Sequence, residues 1–357
     1  MGRLVRSFSP GEAEVVDVDD LAAAPDPAPV SRGDIRWGIL ATGGIARVFT
    51  RDLLAHGHQV TAVGSRSAGS ARAFADEFGI RRAHGSYDEL VTDPDVDVVY
   101  VATPHSYHAS NALAALESGK HVLVEKAFTV NAVEARAVVD AARTRGLLVL
   151  EAMWTRFLPH MSFVRSVVAS GRLGTVQSLH ADHTQRLTSD PAHRLNDPRL
   201  AGGALLDLGV YPLSFAHDLF GAPLEITARG TLRETGVDAS VATVLRHANG
   251  TVSTSFSSSE TRGPNTAVVL GTEARIDIDS VWYAPAAVTV RSAEGVVLER
   301  FDRSVSGRGM QYQAAEVERL LAAGSTTSPL MTAEDSVAVM ATMDAVRNAI
   351  GVRYPNE

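Results

Sequence analysis

Lys126, Asp207 and Tyr211 are the residues of this chain around which a reaction can be built. Lys126 follows the run His121-Val122-Leu123-Val124-Glu125. It therefore ends a buried strand, at the edge where open α/β sheets bind their ligands. Asp207 and Tyr211 stand at i and i+4 of a helical stretch and share one face of it. A tyrosine exchanges protons readily once its pKa drops below the ordinary ~10. A neighbouring ammonium causes that drop by stabilising phenolate. Such a pair suits hydride transfer between a nicotinamide and an alcohol or carbonyl, because the substrate oxygen must lose or gain a proton as the hydride moves. Lys126 would polarise that oxygen as well, and Asp207 would either orient the lysine or bind a substrate hydroxyl.

A turn for a dinucleotide lies upstream. Ala41-Thr42-Gly43-Gly44-Ile45-Ala46 reads A-x-G-x-x-A and joins a first strand to a first helix. Backbone N–H groups at that helix start face a pyrophosphate, aided by the helix dipole. Gly43 lets the backbone come close, and Ala46 lets helix and strand pack tightly. Ala41 replaces the first glycine of the usual fingerprint, which is tolerable at negative φ. The second strand ends in Ser65-Arg66-Ser67, with no carboxylate for ribose hydroxyls. Arg66 can pair with a 2′-phosphate, so NADP is expected over NAD. His105 and His108 follow a strand end and either line the nicotinamide site or cap the next helix. Trp154 and Arg156 either shape the cleft between domains or pack their junction. His183, His193 and His217 show no matched ligand spacing, and no metal is assigned.

The elements that position these residues alternate. Strands over 35–40, 60–63, 96–103, 121–125 and 147–151 are interleaved with helices over 44–54, 68–78, 106–117 and 132–143, which implies a parallel sheet covered on both faces. Beyond Met153 the texture changes. Helices over 157–169 and 204–219 frame a strand over 176–183. Strands over 225–233, 240–247, 251–257, 267–270, 287–291 and 296–300 follow, joined by turns such as His247-Ala248-Asn249-Gly250. Two helices, 311–321 and 333–350, close the chain. The fold class is α/β: an N-terminal Rossmann domain over 34–153, then an α+β domain with a largely antiparallel sheet over 154–357. Residues 1–33 read as a flexible extension, or as an arm packing on a partner subunit. The 357 residues are too many for one ordinary core. A net charge of -8 disfavours nucleic acid as a partner, no apolar run approaches a membrane span, and zero cysteines fit a reducing cytoplasm.

Three segments, taken with the A-x-G-x-x-A turn, resemble the Gfo/Idh/MocA oxidoreductases. They are Thr103-Pro104-His105-Ser106-Tyr107-His108, Glu125-Lys126-Ala127-Phe128, and the stretch Gly202-Gly203 through Tyr211. The segment Glu151–Phe157 is similar to the branch of dihydrodiol and NADP-dependent D-xylose dehydrogenases. The resemblance covers the chain from Ile35 to the last helix. It departs from the family pattern at Ala41 and at Ala127, where many members carry proline. It implies a sugar or vicinal diol as substrate and a homodimer or homotetramer. It also implies a cofactor site that includes Thr103, Pro104, His105, His108 and Glu125. Inositol-type relatives carry histidine where Tyr211 stands, so the tyrosine favours the sugar and diol branch. Two other readings stand beside it: an oxidoreductase of glucose–fructose type that retains its cofactor, and a non-catalytic dinucleotide-sensing regulator.

Overall fold

The computed structural model describes residues 34–355, and before them only the backbones of Arg3–Ser7 (β1) and Ala13–Asp17 (β2). These two strands pair antiparallel, an element not expected from the sequence. The rest of the N-terminal 33 residues, and with it the flexible extension or partner-binding arm, lies outside the described residues.

Six parallel strands follow the expected alternation. β3 (Arg36–Leu40), β4 (Gln59–Gly64), β5 (Arg82–His84), β6 (Val98–Val101), β7 (His121–Glu125) and β8 (Val149–Ala152) lie in the order β5-β4-β3-β6-β7-β8. Val98–Val101 and Val122–Val124 are wholly buried, as strands covered on both faces must be. Helices α1 (Gly44–Ala55), α2 (Ala68–Phe78), α3 (Tyr87–Val91), α4 (His108–Glu117) and α5 (Ala132–Arg145) make the crossovers. From β3 the chain steps outward to β4 and β5, then returns to β6 on the other side. The strand order reverses there, which opens a crevice at the C-terminal ends of β3 and β6.

The second sheet has eight strands: β9 (Val176–Thr184), β10 (Pro223–Leu232), β11 (Asp238–His247), β12 (Val252–Ser258), β13 (Ala267–Gly271), β14 (Ala274–Ile278), β15 (Val288–Ser292) and β16 (Val297–Phe301). Their order is β10-β11-β12-β9-β13-β14-β15-β16, antiparallel except where β12 meets β9. β11 alternates buried and exposed residues along most of its length, the signature of a sheet with one face on the core. The helices of this part are α6 (Pro159–Ala169), α7 (Val210–Phe220), α8 (Gln311–Ala322) and α9 (Ala333–Ile350). α9 is fixed at its start by a capping box between Thr332 and Asp335.

Several contacts tie the two halves together, among them Trp37 Nε1–Glu318 and Arg136–Glu334, and one of them also bears on the cavity. The buried carboxylate of Asp52, in α1, accepts hydrogen bonds from the backbone N–H groups of Arg308 and Met310, each at 3.0 Å. It thereby anchors the loop that precedes α8.

Candidate active site

β3 runs into the expected turn. Ala41 N–H donates to Gly64 O at 2.9 Å, and Ala46 is wholly buried against the sheet. A negative φ would make Ala41 inexpensive, but its φ is +91°. The alanine is therefore held in a region that favours glycine. Gly43 caps α1 without a side-chain hydrogen bond, and the first turn of α1 carries no acidic residue. A Cβ added at Gly43 or Gly44 would meet nothing within 4 Å. Free N–H donors under open space are what a dinucleotide phosphate needs, so these residues fit the cofactor. At the end of β4, Ser67 caps α2 by accepting from Ser70 N–H at 3.3 Å, and Ser65 Oγ accepts from Ser67 N–H at 3.4 Å. Burial pushes the Tyr87 hydroxyl up in pKa, while the nearby Arg66 guanidinium pulls the other way. Arg66 thus faces Tyr87 across the same cavity.

That cavity, of about 890 Å³, runs from Gly43 and Arg66 past Thr103, Pro104, His105 and His108 to Lys126, Asp207 and Tyr211. The strand end places Lys126, and a buried anchor places the other two. Asp238 Oδ2 accepts from Leu205 N–H at 2.6 Å. A Cβ on Gly203, whose φ is +118°, would lie 2.2 Å from the same carboxylate. The continuous α-helix expected over 204–219 instead opens with a π-helical turn at Leu205–Gly209 before α7. Both Asp207 and Tyr211 still border the cavity.

Lys126 Nζ donates to the Asp207 carbonyl at 2.7 Å, lies 3.7 Å from Asp207 Oδ1 and sits 4.9 Å from the centre of the Tyr211 ring. Burial opposes the lysine charge, but Asp207, then Tyr211 and Glu125, outweigh it and raise its pKa. Burial also opposes the Asp207 carboxylate, yet Lys126 and Arg194 bring it down to about 2. Tyr211 differs from expectation. Burial raises its pKa and prevails over Lys126 and over Trp154, whose Nε1 donates to the phenol oxygen at 2.9 Å. The phenol is therefore the resting form, because the hydrophobic surroundings penalise phenolate more than one ammonium favours it. Glu125 is buried, and its carboxylate accepts from the Tyr100 hydroxyl and from Lys126 N–H.

Both histidines after β6 border the cavity, and both are neutral. Burial, then His108, lowers His105 to about 3, and burial lowers His108 to about 4. His108 lies between the carbonyls of Thr103 and Ala127, each 2.9 Å from a ring nitrogen; the neutral ring donates to one of them only. Its role is thus to brace the strand ends that carry the site. Trp154 reaches the cavity, but Arg156 does not. Its guanidinium donates to Ser214 Oγ and to Ser214 O, each at 2.9 Å, and faces Asp218 and Asp335. It packs the junction because the short 3₁₀ turn Trp154–Phe157 turns it away from Trp154.

Several lining residues come from places where the sequence offers no signal. His183 and Gln185 lie at the end of β9, Arg194 in the polar loop after it, Tyr283 between β14 and β15, and Arg308 before α8. His183 stacks on Tyr283 at 3.7 Å and meets Tyr211 edge-on at 4.7 Å. Arg194 approaches Asp207 Oδ1 at 3.6 Å. Only the neighbourhood of Asp207 could have suggested Arg194, and only through the fold.

Comparison with known proteins agrees with this architecture. Residues 35–153 match the oxidoreductase family with an NAD-binding Rossmann fold, and residues 161–277 match the GFO/IDH/MocA C-terminal domain. The chain is 38% identical over 332 residues to trans-1,2-dihydrobenzene-1,2-diol dehydrogenase of Mus musculus, covering 90% of this chain and 99% of that protein. The Homo sapiens enzyme of that name is also 38% identical, with the same coverage. Among solved structures, a 3-ketoreductase from Actinomadura kijaniata in complex with NADP and TDP-benzene superposes with a TM-score of 0.79 at 28% identity, covering 88% of this chain and 98% of that one. An aldose-aldose oxidoreductase from Caulobacter crescentus, at 24% identity and a TM-score of 0.80, shares the fold. With both halves matched in order and nine-tenths of its length aligned to curated enzymes, the chain belongs to the Gfo/Idh/MocA family of nicotinamide-dependent oxidoreductases.

Proposed function

We propose that this protein is an NADP-preferring dehydrogenase that acts on a CH–OH group of a sugar or vicinal diol. The observation that carries the reading is the convergence of Lys126, Asp207 and Tyr211 on the cavity that also contains the uncapped start of α1. The relatives named as diol dehydrogenases support the substrate class. In this reading residues 34–153 form the cofactor domain and 154–357 the substrate domain. The turn Ala41–Ala46 holds the cofactor phosphates, and Ser65, Arg66 and Ser67 hold the 2′-phosphate. Thr103, Pro104, His105, His108, Glu125 and Trp154 line the remainder. Bound NADP supplies the hydride acceptor, or the donor in the reverse direction.

The chain's own residues handle the proton. Trp154 donates to the Tyr211 oxygen, which leaves the phenol proton free to point at the substrate oxygen. Asp207 uses one of the three Lys126 N–H donors; the others are free for the substrate oxygen and for Tyr211. In reduction Tyr211 gives its proton to the substrate oxygen. In oxidation it takes that proton back, and the adjacent ammonium stabilises the phenolate that must form first. The cysteine-free composition supports a cytoplasmic location, and the outer face of the second sheet supports a homodimer; no helix among the described residues is long and apolar enough to cross a membrane.

The test is reduction of NADP+ and of NAD+ across a panel of aldoses, inositols and diols, with the unmodified protein and with Arg66→Ala. NADP+ should be the better acceptor, and Arg66→Ala should erode that preference. Equal or better use of NAD+ by the unmodified protein would refute the role given to Arg66. A panel with no turnover would refute the activity.

A further inference from the structure

Beyond Tyr283 the cleft opens into a second cavity of about 560 Å³, and the two share Gln185, Tyr283 and Arg308 as a common wall. We propose that this second cavity is a subsite for a phosphoryl group carried by the substrate away from its reacting carbon, so that the preferred substrates are phosphorylated sugars. The inference rests on the dehydrogenase reading above and names the substrate class of that site.

Three arginines border the cavity and arrive from three parts of the chain. Arg186 follows β9, Arg262 lies in the β12–β13 loop, and Arg308 lies in the loop anchored by Asp52. Among the described residues none of the three pairs with a carboxylate, and no Asp or Glu borders the cavity. Arg308 has only a ring beneath it, Trp154 at 5.3 Å. Other arginines are matched with acids, as Arg36 with Asp97, Arg165 with Asp218 and Arg291 with Asp277, or donate to backbone carbonyls, as Arg145 and Arg229 do; the three here are solvent-exposed and converge on one hollow. In a chain of net charge -8, three unmatched guanidiniums around one hollow are not a by-product of a basic composition.

The remaining polar groups nearby are already engaged. Asp182 accepts from Asn265 N–H and Thr266 N–H, each at 2.9 Å. Asn265 accepts from Thr184 N–H at 2.7 Å and donates to Thr184 O at 3.0 Å. The arginine forks are thus the groups left to meet a ligand, and planar guanidinium forks match phosphate oxygens two at a time. The volume is that of a whole chemical group, since ligand pockets run from roughly 300 to 1,000 Å³. A sugar monophosphate and a nucleoside-diphosphate sugar both present the required chemistry.

The first test is direct. Inorganic pyrophosphate is titrated calorimetrically into NADP-saturated protein at low salt, where the dinucleotide site is already filled. Binding that weakens with added salt is expected, and the Arg186→Gln, Arg262→Gln double variant should weaken it at least ~10-fold. No binding to the unmodified protein, or equal binding to the double variant, overturns the subsite whether or not the protein is a dehydrogenase.

The second test compares an aldose, its monophosphate and its nucleoside-diphosphate ester as substrates. KM should be lower for one of the phosphorylated forms, and that arm identifies which. The double variant should raise that KM ~10-fold or more, with kcat and NADP affinity unchanged. Turnover of neutral sugars at a KM no worse than their phosphates overturns the subsite and leaves the dehydrogenase reading intact. Arginine-dependent pyrophosphate binding without turnover of any substrate supports the subsite and overturns the dehydrogenase reading instead.

Discussion

Tyr211 works between opposed influences, and its substitutions separate them. Burial keeps the phenol protonated, while Lys126 and the Trp154 N–H favour the phenolate. Tyr211→Phe keeps the ring and its contact with His183, so folding and NADP affinity should survive while turnover falls by ~10²–10⁴, the usual contribution of a general acid–base group. Lys126→Met should be at least as damaging. If Lys126 and Tyr211 act as one unit, as proposed, the double variant should cost far less than the product of the two. The measurement is turnover with a substrate deuterium isotope effect confirming that hydride transfer limits it. In the oxidation proposed here the reactive form would be phenolate, so activity should keep rising with pH beyond the ordinary tyrosine value of 10.0, and Tyr211→Phe should abolish that rise. Near-normal turnover in Tyr211→Phe would pass the role to His105, which borders the same cavity. Ala41 offers a test of the opposite sign. Its positive φ costs ~1–2 kcal/mol against glycine, partly offset by the freedom glycine gains when unfolded. Ala41→Gly should therefore stabilise the protein by ~0.5–1 kcal/mol, read from the denaturant midpoint; a loss would show that the Ala41 methyl packs better than its backbone strains.

Elements differ in how plainly they write themselves in sequence, and the difference is one of length and cover. β6 and the Val122–Val124 centre of β7 are unbroken apolar runs because both faces of the parallel sheet are covered, and α1, α2 and α5 run long enough to show a helical period. β5 and α3 have three and five residues, too few for any period, and both are absent from the sequence reading. β14, Ala-Arg-Ile-Asp-Ile, does alternate, but it is lost between neighbours whose turns are not marked. Lys126, Asp207 and Tyr211 are legible because a strand end and a helix face fix them locally. His183, Tyr283 and Arg308 are not, because their positions depend on the register of the second sheet and on a loop held from the other half of the molecule. That loop gives its own prediction. Asp52→Ala removes the acceptor for two backbone N–H groups, and unsatisfied buried donors cost ~1–3 kcal/mol. Thermal melting should drop accordingly. Steady-state kinetics should show KM rising more than kcat falls, since Arg308 loosens while Lys126 and Tyr211 stay in place. An unchanged KM would show that the loop holds without Asp52.

For the whole molecule, the outer face of the second sheet is the feature left to cover. Val244 and Phe256, at 47% and 43% exposure, are diagonal neighbours on one face of β11 and β12; Leu224 and Leu232, also exposed, lie at the two ends of the edge strand β10. Apolar side chains grouped on an open sheet mark an association surface. Light scattering at micromolar concentration should give a dimer, and Phe256→Lys should shift it toward monomer; a monomeric mass for the unmodified protein would contradict the proposed assembly. Acid should unfold the protein early. Burial lowers His105, His183 and His217 to about 3 and His108 and His160 to about 4. Below the ordinary 6.5 the unfolded chain takes up protons that the folded one refuses, so stability is lost as pH falls. Glu151, raised to about 7, and Asp238, raised to about 6, oppose this, but two carboxyls do not offset five histidines. The melting temperature should decline from pH 7 to pH 5; a flat profile there would contradict the buried, neutral histidines. The Asp52 tie has a further consequence, in the language of linkage. In the proposed reading α1 would hold the cofactor phosphates at its first turn, and through Asp52 it anchors the loop that carries Arg308 to the cavity, so one helix would link the two ligand sites. If seating the cofactor steadies that loop, then by thermodynamic necessity a bound substrate tightens the cofactor by the same factor, and severing the tie at Asp52 lowers both affinities together.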